Sequence, residues 1–179
     1  MIRLFVGLRV PQAHRDRLGF LRGGIDGARW VDPENYHMTL RFLGDLDEDV
    51  AEDVVQGLGT VRGKPFELAI SGLGTFGHPP HHLWVGAQDL SHTALARLHS
   101  NVESAVVRAG LRPEGRRFTP HLTLARFKKV SPLHVARFIE SHIDVQLEPF
   151  EVSKFTLFQS HLSHLGAQYE RLKDFDFAP

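Results

Sequence analysis

Two short segments constrain this chain more than any others: His37-Met38-Thr39-Leu40 and His121-Leu122-Thr123-Leu124, 84 residues apart. Each sits in a run that alternates polar and apolar residues, Tyr36 to Leu43 (YHMTLRFL) and Pro120 to Phe127 (PHLTLARF), the period of a half-buried strand. Successive side chains of a strand point to opposite faces, so His37 shares a face with Thr39 and His121 with Thr123. Met38, Leu40, Leu122 and Leu124 then pack behind. Two strands that each present an imidazole beside a hydroxyl point to one site assembled from two halves.

The rest of the chain supplies elements around these strands. Ile2 to Leu8 reads as a strand, followed from Pro11 by a helix through Arg15, Leu18 and Leu21 to a stop at Gly23-Gly24. Arg29 to Asn35 reads as a turn, and Asp45 to Gly57 as an acidic-headed helix after the first motif strand ends at Gly44. Phe66 to Gly72 and His82 to Gly86 pair around a Gly/Pro/His-rich connection, and Leu95, Leu98, Val102 and Val106 space a helix over Ser91 to Gly110. Arg117 to Phe127 is the second motif strand and Pro132 to His142 a short helix. Val145 to Glu151, Lys154 to Ser160 and Ala167 to Phe175 are three further strands. This irregular, hairpin-rich order predicts an α+β fold of two related lobes.

At 179 residues, with no low-complexity linker, the chain is expected to be a single two-lobed unit spanning 1–179. Lysine plus arginine balance aspartate plus glutamate at 21 each, so no global charge draws in polyanions or membranes and any nucleic-acid contact is local. Absence of cysteine excludes disulfides, thiolate metal sites and cysteine nucleophiles. The opening apolar run is too short for a secretory leader and no segment is long enough to span a bilayer, so a cytoplasmic protein is expected.

Two imidazoles facing each other across a cleft are suited to act as general base and general acid together, because an ordinary histidine pKa near 6.5 populates both protonation states near neutrality. In-line displacement at phosphorus needs such groups on opposite sides of the phosphate, which two facing lobes provide. Thr39 and Thr123 are placed to donate hydroxyl hydrogen bonds to non-bridging oxygens. Arg126 lies an odd number of residues after His121, so in a regular strand it faces away; a role for it requires a bulge or a strand end.

The paired H-[LM]-T-L tetrads, the RLF opening at Arg3, the W-V-x-x-x-N-x-H approach to His37 and the R-x-F-x-P-H-L-T-L-A-R segment around His121 resemble the two-histidine (2H) phosphoesterases. Within these the chain is most similar to the bacterial RNA 2′,3′-cyclic phosphodiesterases, first described as 2′-5′ RNA ligases. The resemblance runs from Arg3 to Leu172 and includes an S-x-L-x-x-x-G-x-x-Y-x-x-L tail from Ser160. It implies two antiparallel sheets lining a central cleft, with pseudo-two-fold symmetry and helices outside. It also implies hydrolysis, without metal or other cofactor, of a terminal 2′,3′-cyclic phosphate on RNA or a nucleotide to a 2′-phosphomonoester. By the same resemblance His37 is the general acid and His121 the base, roles open to exchange, while Thr39, Thr123 and Arg126 hold phosphate. Weak, reversible 2′-5′ ligation would be the same chemistry run backwards, and a monomer without an obligate protein partner is expected.

Other features carry simpler readings. His78, His81 and His82 surround two prolines and read as a solvated loop rather than a zinc site. His161 and His164 read as surface residues, Arg41 as a solvated edge residue, and Phe5, Phe42 and Phe127 as core rather than base-stacking platforms. The basic set Arg108, Arg112, Arg116, Arg117, Lys128 and Lys129 brackets the second tetrad and would favour a phosphate backbone there. A non-catalytic module that binds RNA or nucleotide phosphate in the same cleft is the alternative function. A metallohydrolase built on the His78–His82 cluster ranks last.

Overall fold

The two motif strands fold into separate antiparallel sheets. The computed structural model describes residues 1–177, so the last two residues of the expected unit, 1–179, lie outside the described residues. In chain order the elements are β1 (Ile2–Arg9), α1 (Gln12–Gly19), β2 (Ala28–Trp30), β3 (His37–Leu46), α2 (Glu48–Leu58), β4 (Phe66–Phe76) and β5 (His82–Asp89). There follow α3 (Ala94–Arg108), β6 (His121–Phe127), α4 (Pro132–Ser141), β7 (Gln146–Val152), β8 (Lys154–Ser163) and β9 (Gly166–Asp176). One sheet has the order β3-β1-β8-β9 and the other β2-β6-β5-β4-β7. The motif strands β3 and β6 approach each other across the join. The expected α+β architecture, two antiparallel sheets about a cleft, is therefore observed.

β1 is covered on both faces, which is why Leu4 to Leu8 reads as an unbroken apolar run and is buried throughout. The helices bury one stripe each. Ala51, Val54 and Leu58 face inward from α2, and Leu95, Leu98, Val102, Ala105 and Val106 from α3, as their spacing predicts. Ser131 caps α4 by accepting from the His134 N–H, with Pro132 in the first turn. Among the described residues no helix is long and apolar enough to cross a membrane.

Several boundaries differ from expectation for identifiable reasons. The turn expected over Arg29 to Asn35 begins as β2, whose Ala28, Arg29 and Trp30 pair with Phe127, Arg126 and Ala125 of β6. The helix expected from Asp45 starts at Glu48, because Asp45 and Leu46 continue β3 opposite Arg3 and Ile2. The Arg3 guanidinium donates to both carboxylate oxygens of Asp45 there, at 3.0 and 2.8 Å. α1 stops at Gly19, before the glycine pair, and Arg117 to Pro120 runs as loop into β6 rather than as strand.

The decisive irregularity is repeated in both motif strands. Opposite β1 the register passes from Val6↔Arg41 to Gly7↔Thr39, leaving Leu40 as an extra residue; opposite β5 it passes from Leu83↔Ala125 to Trp84↔Thr123, leaving Leu124 extra. Each is a β-bulge, which shifts the alternation by one residue. Burial from histidine onward follows the same sequence in both strands, with the residue five positions beyond the histidine exposed: Phe42 in one and Arg126 in the other.

Candidate active site

The five residues singled out by sequence, His37, Thr39, His121, Thr123 and Arg126, all line one cavity of about 430 Å³ between the sheets. The bulge at Leu124 is what brings Arg126 onto the face of His121 and Thr123, the condition that a regular strand does not meet.

Both imidazoles are braced alike. Nδ1 of His37 donates to the carbonyl of Asn35 at 2.7 Å, and Nδ1 of His121 to the carbonyl of Thr119 at 2.6 Å, in each case two residues upstream. A hydrogen on Nδ1 leaves Nε2 as the atom that gains or gives the working proton. The two then diverge. His37 Nε2 is 2.8 Å from Thr39 Oγ1, which donates to it while the ring is neutral; His121 Nε2 has no hydrogen-bond partner among the described residues.

Their surroundings also differ. His37 lies against Phe5, with ring centroids 4.7 Å apart, meets Tyr169 edge-on at 5.1 Å and has Phe158 at 6.1 Å. Enclosure by these rings strips water from the imidazole and pushes its pKa down to about 4; the Asn35 carbonyl opposes this, and the Arg126 and His121 charges add to it. With only protein around it, His37 is therefore neutral at physiological pH. His121 has Phe76 edge-on at 4.9 Å and Trp84 at 6.2 Å.

Three readings from sequence are corrected. Phe42, expected in the core, is 53% exposed and lines the cavity, because the Leu40 bulge turns it to the cleft; Phe5 and Phe127 are buried as expected. The same bulge turns Arg41, expected at a solvated edge, inward, where it is 8% exposed. There it donates to Glu103 and to the carbonyls of Phe42 and Arg112, tying the loop that carries Glu114 to β3 and α3. His78 and His81 are exposed in the connection before β5, as the loop reading expects, but His82 opens β5 opposite Arg126 and lines the cavity with His81, their Nδ1 atoms 2.8 Å apart. Burial, reinforced by the His81, Arg126 and His121 charges, lowers the His82 pKa. His161 and His164 are exposed, the former paired with Glu170 at 2.8 Å.

Other lining residues were missed. Asn35 braces His37 through its carbonyl and uses its side-chain amide to donate to Ala167 O at 2.7 Å, tying the β8–β9 hairpin to the site. Its place in the W-V-x-x-x-N-x-H approach was the available signal. Phe118 and His99, stacked at 3.9 Å with 5° between their planes, form another stretch of wall, from residues that only the fold makes neighbours. Among the described residues no group of three or more His, Asp or Glu side chains is placed to hold a metal ion.

Comparison with known proteins gives a consistent picture. The family described as LigT like Phosphoesterase matches residues 8–84 and 89–169. A protein of Archaeoglobus fulgidus named RNA 2′,3′-cyclic phosphodiesterase is 31% identical over 98% of this chain and 100% of its own length. One of the same name from Aquifex aeolicus is 29% identical over 98% of this chain and 97% of its own. The fold is similar to that of Escherichia coli LigT crystallised with 3′-AMP, at a TM-score of 0.80 and 24% identity, with 99% of each chain covered. The LigT structure with NADP+ is similar at a TM-score of 0.78.

Proposed function

The chain belongs to the LigT-like phosphoesterase family, and from that premise we propose that it is an RNA 2′,3′-cyclic phosphodiesterase, a hydrolase whose proton transfers are carried by His37 and His121. The observation that carries this reading is the matched bracing of the two imidazoles at one cavity, each with Nδ1 on a backbone carbonyl so that Nε2 is the titrating nitrogen, with Thr39, Thr123 and Arg126 alongside. Residues 1–179 act as one two-lobed unit in this reading.

The cyclic phosphate lies between the imidazoles, its non-bridging oxygens receiving hydrogen bonds from the two threonines and Arg126. His121 Nε2 takes a proton from water as the water oxygen attacks phosphorus. The bond from phosphorus to the 3′ oxygen breaks on the opposite side, and that oxygen takes the proton of His37 Nε2, leaving a 2′-phosphomonoester and a free 3′ hydroxyl. Burial holds the His37 pKa low when only protein surrounds the ring, and the acid's part needs the charged form, which an anionic phosphodiester between the lobes favours. Because imidazoles move both protons, no step calls for a metal ion, and run in reverse the site would join 2′-5′ linkages weakly.

Incubation with adenosine 2′,3′-cyclic phosphate in the presence of EDTA, followed by phosphorus NMR, tests the reading. Undiminished conversion to the 2′-phosphomonoester is expected. A 3′ product would reverse the placement of acid and base, and absence of turnover with or without metal would reject the activity.

A further inference from the structure

A second cavity, of about 240 Å³, shares Asn35, His37 and Tyr169 with the first. Its wall carries Arg9, Arg15 and Arg171 against the single carboxylate of Glu34. Arg15 is held by that carboxylate at 3.0 Å and by Gln12 at 2.7 Å, and its Nε is buried with no hydrogen-bond partner among the described residues. Arg9 is exposed and is the direct cross-strand partner of His37, so the two side chains stand on one face of the sheet. Arg171 is the cross-strand partner of Phe158, which stacks on Phe5 at 4.9 Å, and Phe5 in turn packs on His37. Arg171 has a carboxylate, Asp174, 3.6 Å away, while Arg9 has no ion-pair partner among the described residues. The consecutive elements β1 and α1, joined by β9 from the far end of the chain, thus deliver an excess of guanidinium to one recess adjoining the imidazole.

We infer that this recess binds a phosphate carried on the 5′ oxygen of the nucleoside whose cyclic phosphate is cleaved. The inference rests on the proposed reaction. If His37 protonates the departing 3′ oxygen, the ribose lies against His37, and the group one sugar away from the reacting phosphorus falls on the side where this recess opens. Guanidinium groups suit that group because they donate in pairs to phosphate oxygens while remaining charged at all physiological pH. The chemistry fits an internucleotide phosphate of an RNA strand or a 5′-phosphomonoester of a single nucleotide. In either case the site distinguishes an RNA-like end from a bare cyclic nucleoside phosphate.

Three substrates separate the possibilities: adenosine 2′,3′-cyclic phosphate, the same compound with a 5′-phosphate, and the dinucleotide ApA ending in a 2′,3′-cyclic phosphate. In the unaltered protein kcat/KM is expected to be higher by about tenfold for the two that carry a 5′ phosphate. Arg9→Gln and, independently, Arg171→Gln should erase most of that preference while changing turnover of the unphosphorylated compound by less than about twofold. A gain shared by both phosphorylated substrates assigns the recess to the RNA strand; a gain confined to the monoester assigns it to free 5′-phosphorylated nucleotides. No preference in the unaltered protein, or an equal loss on all three substrates in the variants, would overturn the inference. Calorimetry with adenosine 2′,5′-bisphosphate against 2′-AMP reads the same site without turnover, so failure of the proposed activity is distinguishable from failure of the subsite.

Discussion

Phe42 and Arg126 occupy corresponding places in the two halves of the cleft, each five residues beyond a site histidine and each turned to the cavity by a bulge at a leucine. The backbone is repeated and the chemistry is not: one wall presents an aromatic ring where the other presents a guanidinium. The histidines are unequal in the same sense, His37 enclosed by Phe5, Phe158 and Tyr169 and His121 with its Nε2 free of protein partners among the described residues. A fold with pseudo-two-fold symmetry thus produces a site with distinct ends, in keeping with the proposed in-line reaction, whose attacking and leaving oxygens differ.

Removal of either imidazole tests the division of labour. His37→Ala and His121→Ala are each expected to lower kcat for adenosine 2′,3′-cyclic phosphate by about a hundredfold or more, the usual contribution of a general acid or base. Near-normal steady-state turnover in either variant would remove that residue from the proposed chemistry.

Acid stability should depend on His37. Its pKa is about 4 in the folded protein against an unfolded value near 6.5, so the unfolded chain takes up the proton first as pH falls. The stabilisation is complete above pH 6.5 and is lost toward pH 4, amounting to roughly 2–3 kcal/mol across that window. Urea unfolding at pH 7 and pH 4.5 should show a smaller acid-induced loss for His37→Gln than for the unaltered protein. His82 and His99, whose pKa values burial also lowers, leave a residual slope of the same sign in the variant.

Gly7 lies where β1 passes the first motif strand. A Cβ there would stand 2.9 Å from Met38 O and 3.5 Å from the His37 ring, so Gly7→Ala must displace the strand that carries the histidine. Overpacking of this kind costs about 1–3 kcal/mol. A lower melting temperature together with a fall in kcat is expected, and a variant with unchanged values of both would contradict the contact.

Arg41 holds the loop at one wall of the cavity. Arg41→Ala leaves Glu103 without its guanidinium and releases the Arg112 carbonyl, and loss of hydrogen bonds to a charged group in this part-buried setting costs about 1.5–3 kcal/mol. Amide hydrogen exchange over residues 112–117 should accelerate more than exchange in β1. Uniform protection throughout would show that the loop stands without Arg41.

Local pattern determined much of this protein. Period two around His37 and His121 marked both motif strands and placed each histidine beside its threonine, and helical spacing marked Leu95 to Val106, because side-chain direction in a regular element depends only on sequence separation. Tertiary structure decided the rest wherever regularity breaks or distant segments meet. Bulges at Leu40 and Leu124 exist only relative to the strands alongside, so the burial of Arg41 and the turns of Phe42 and Arg126 to the cavity were invisible to alternation. The depressed pKa of His37 comes from rings on β1, β8 and β9, and the recess beside it from arginines on β1, α1 and β9. Desolvation and charge act through space, and only the folded chain brings those groups within reach of one another.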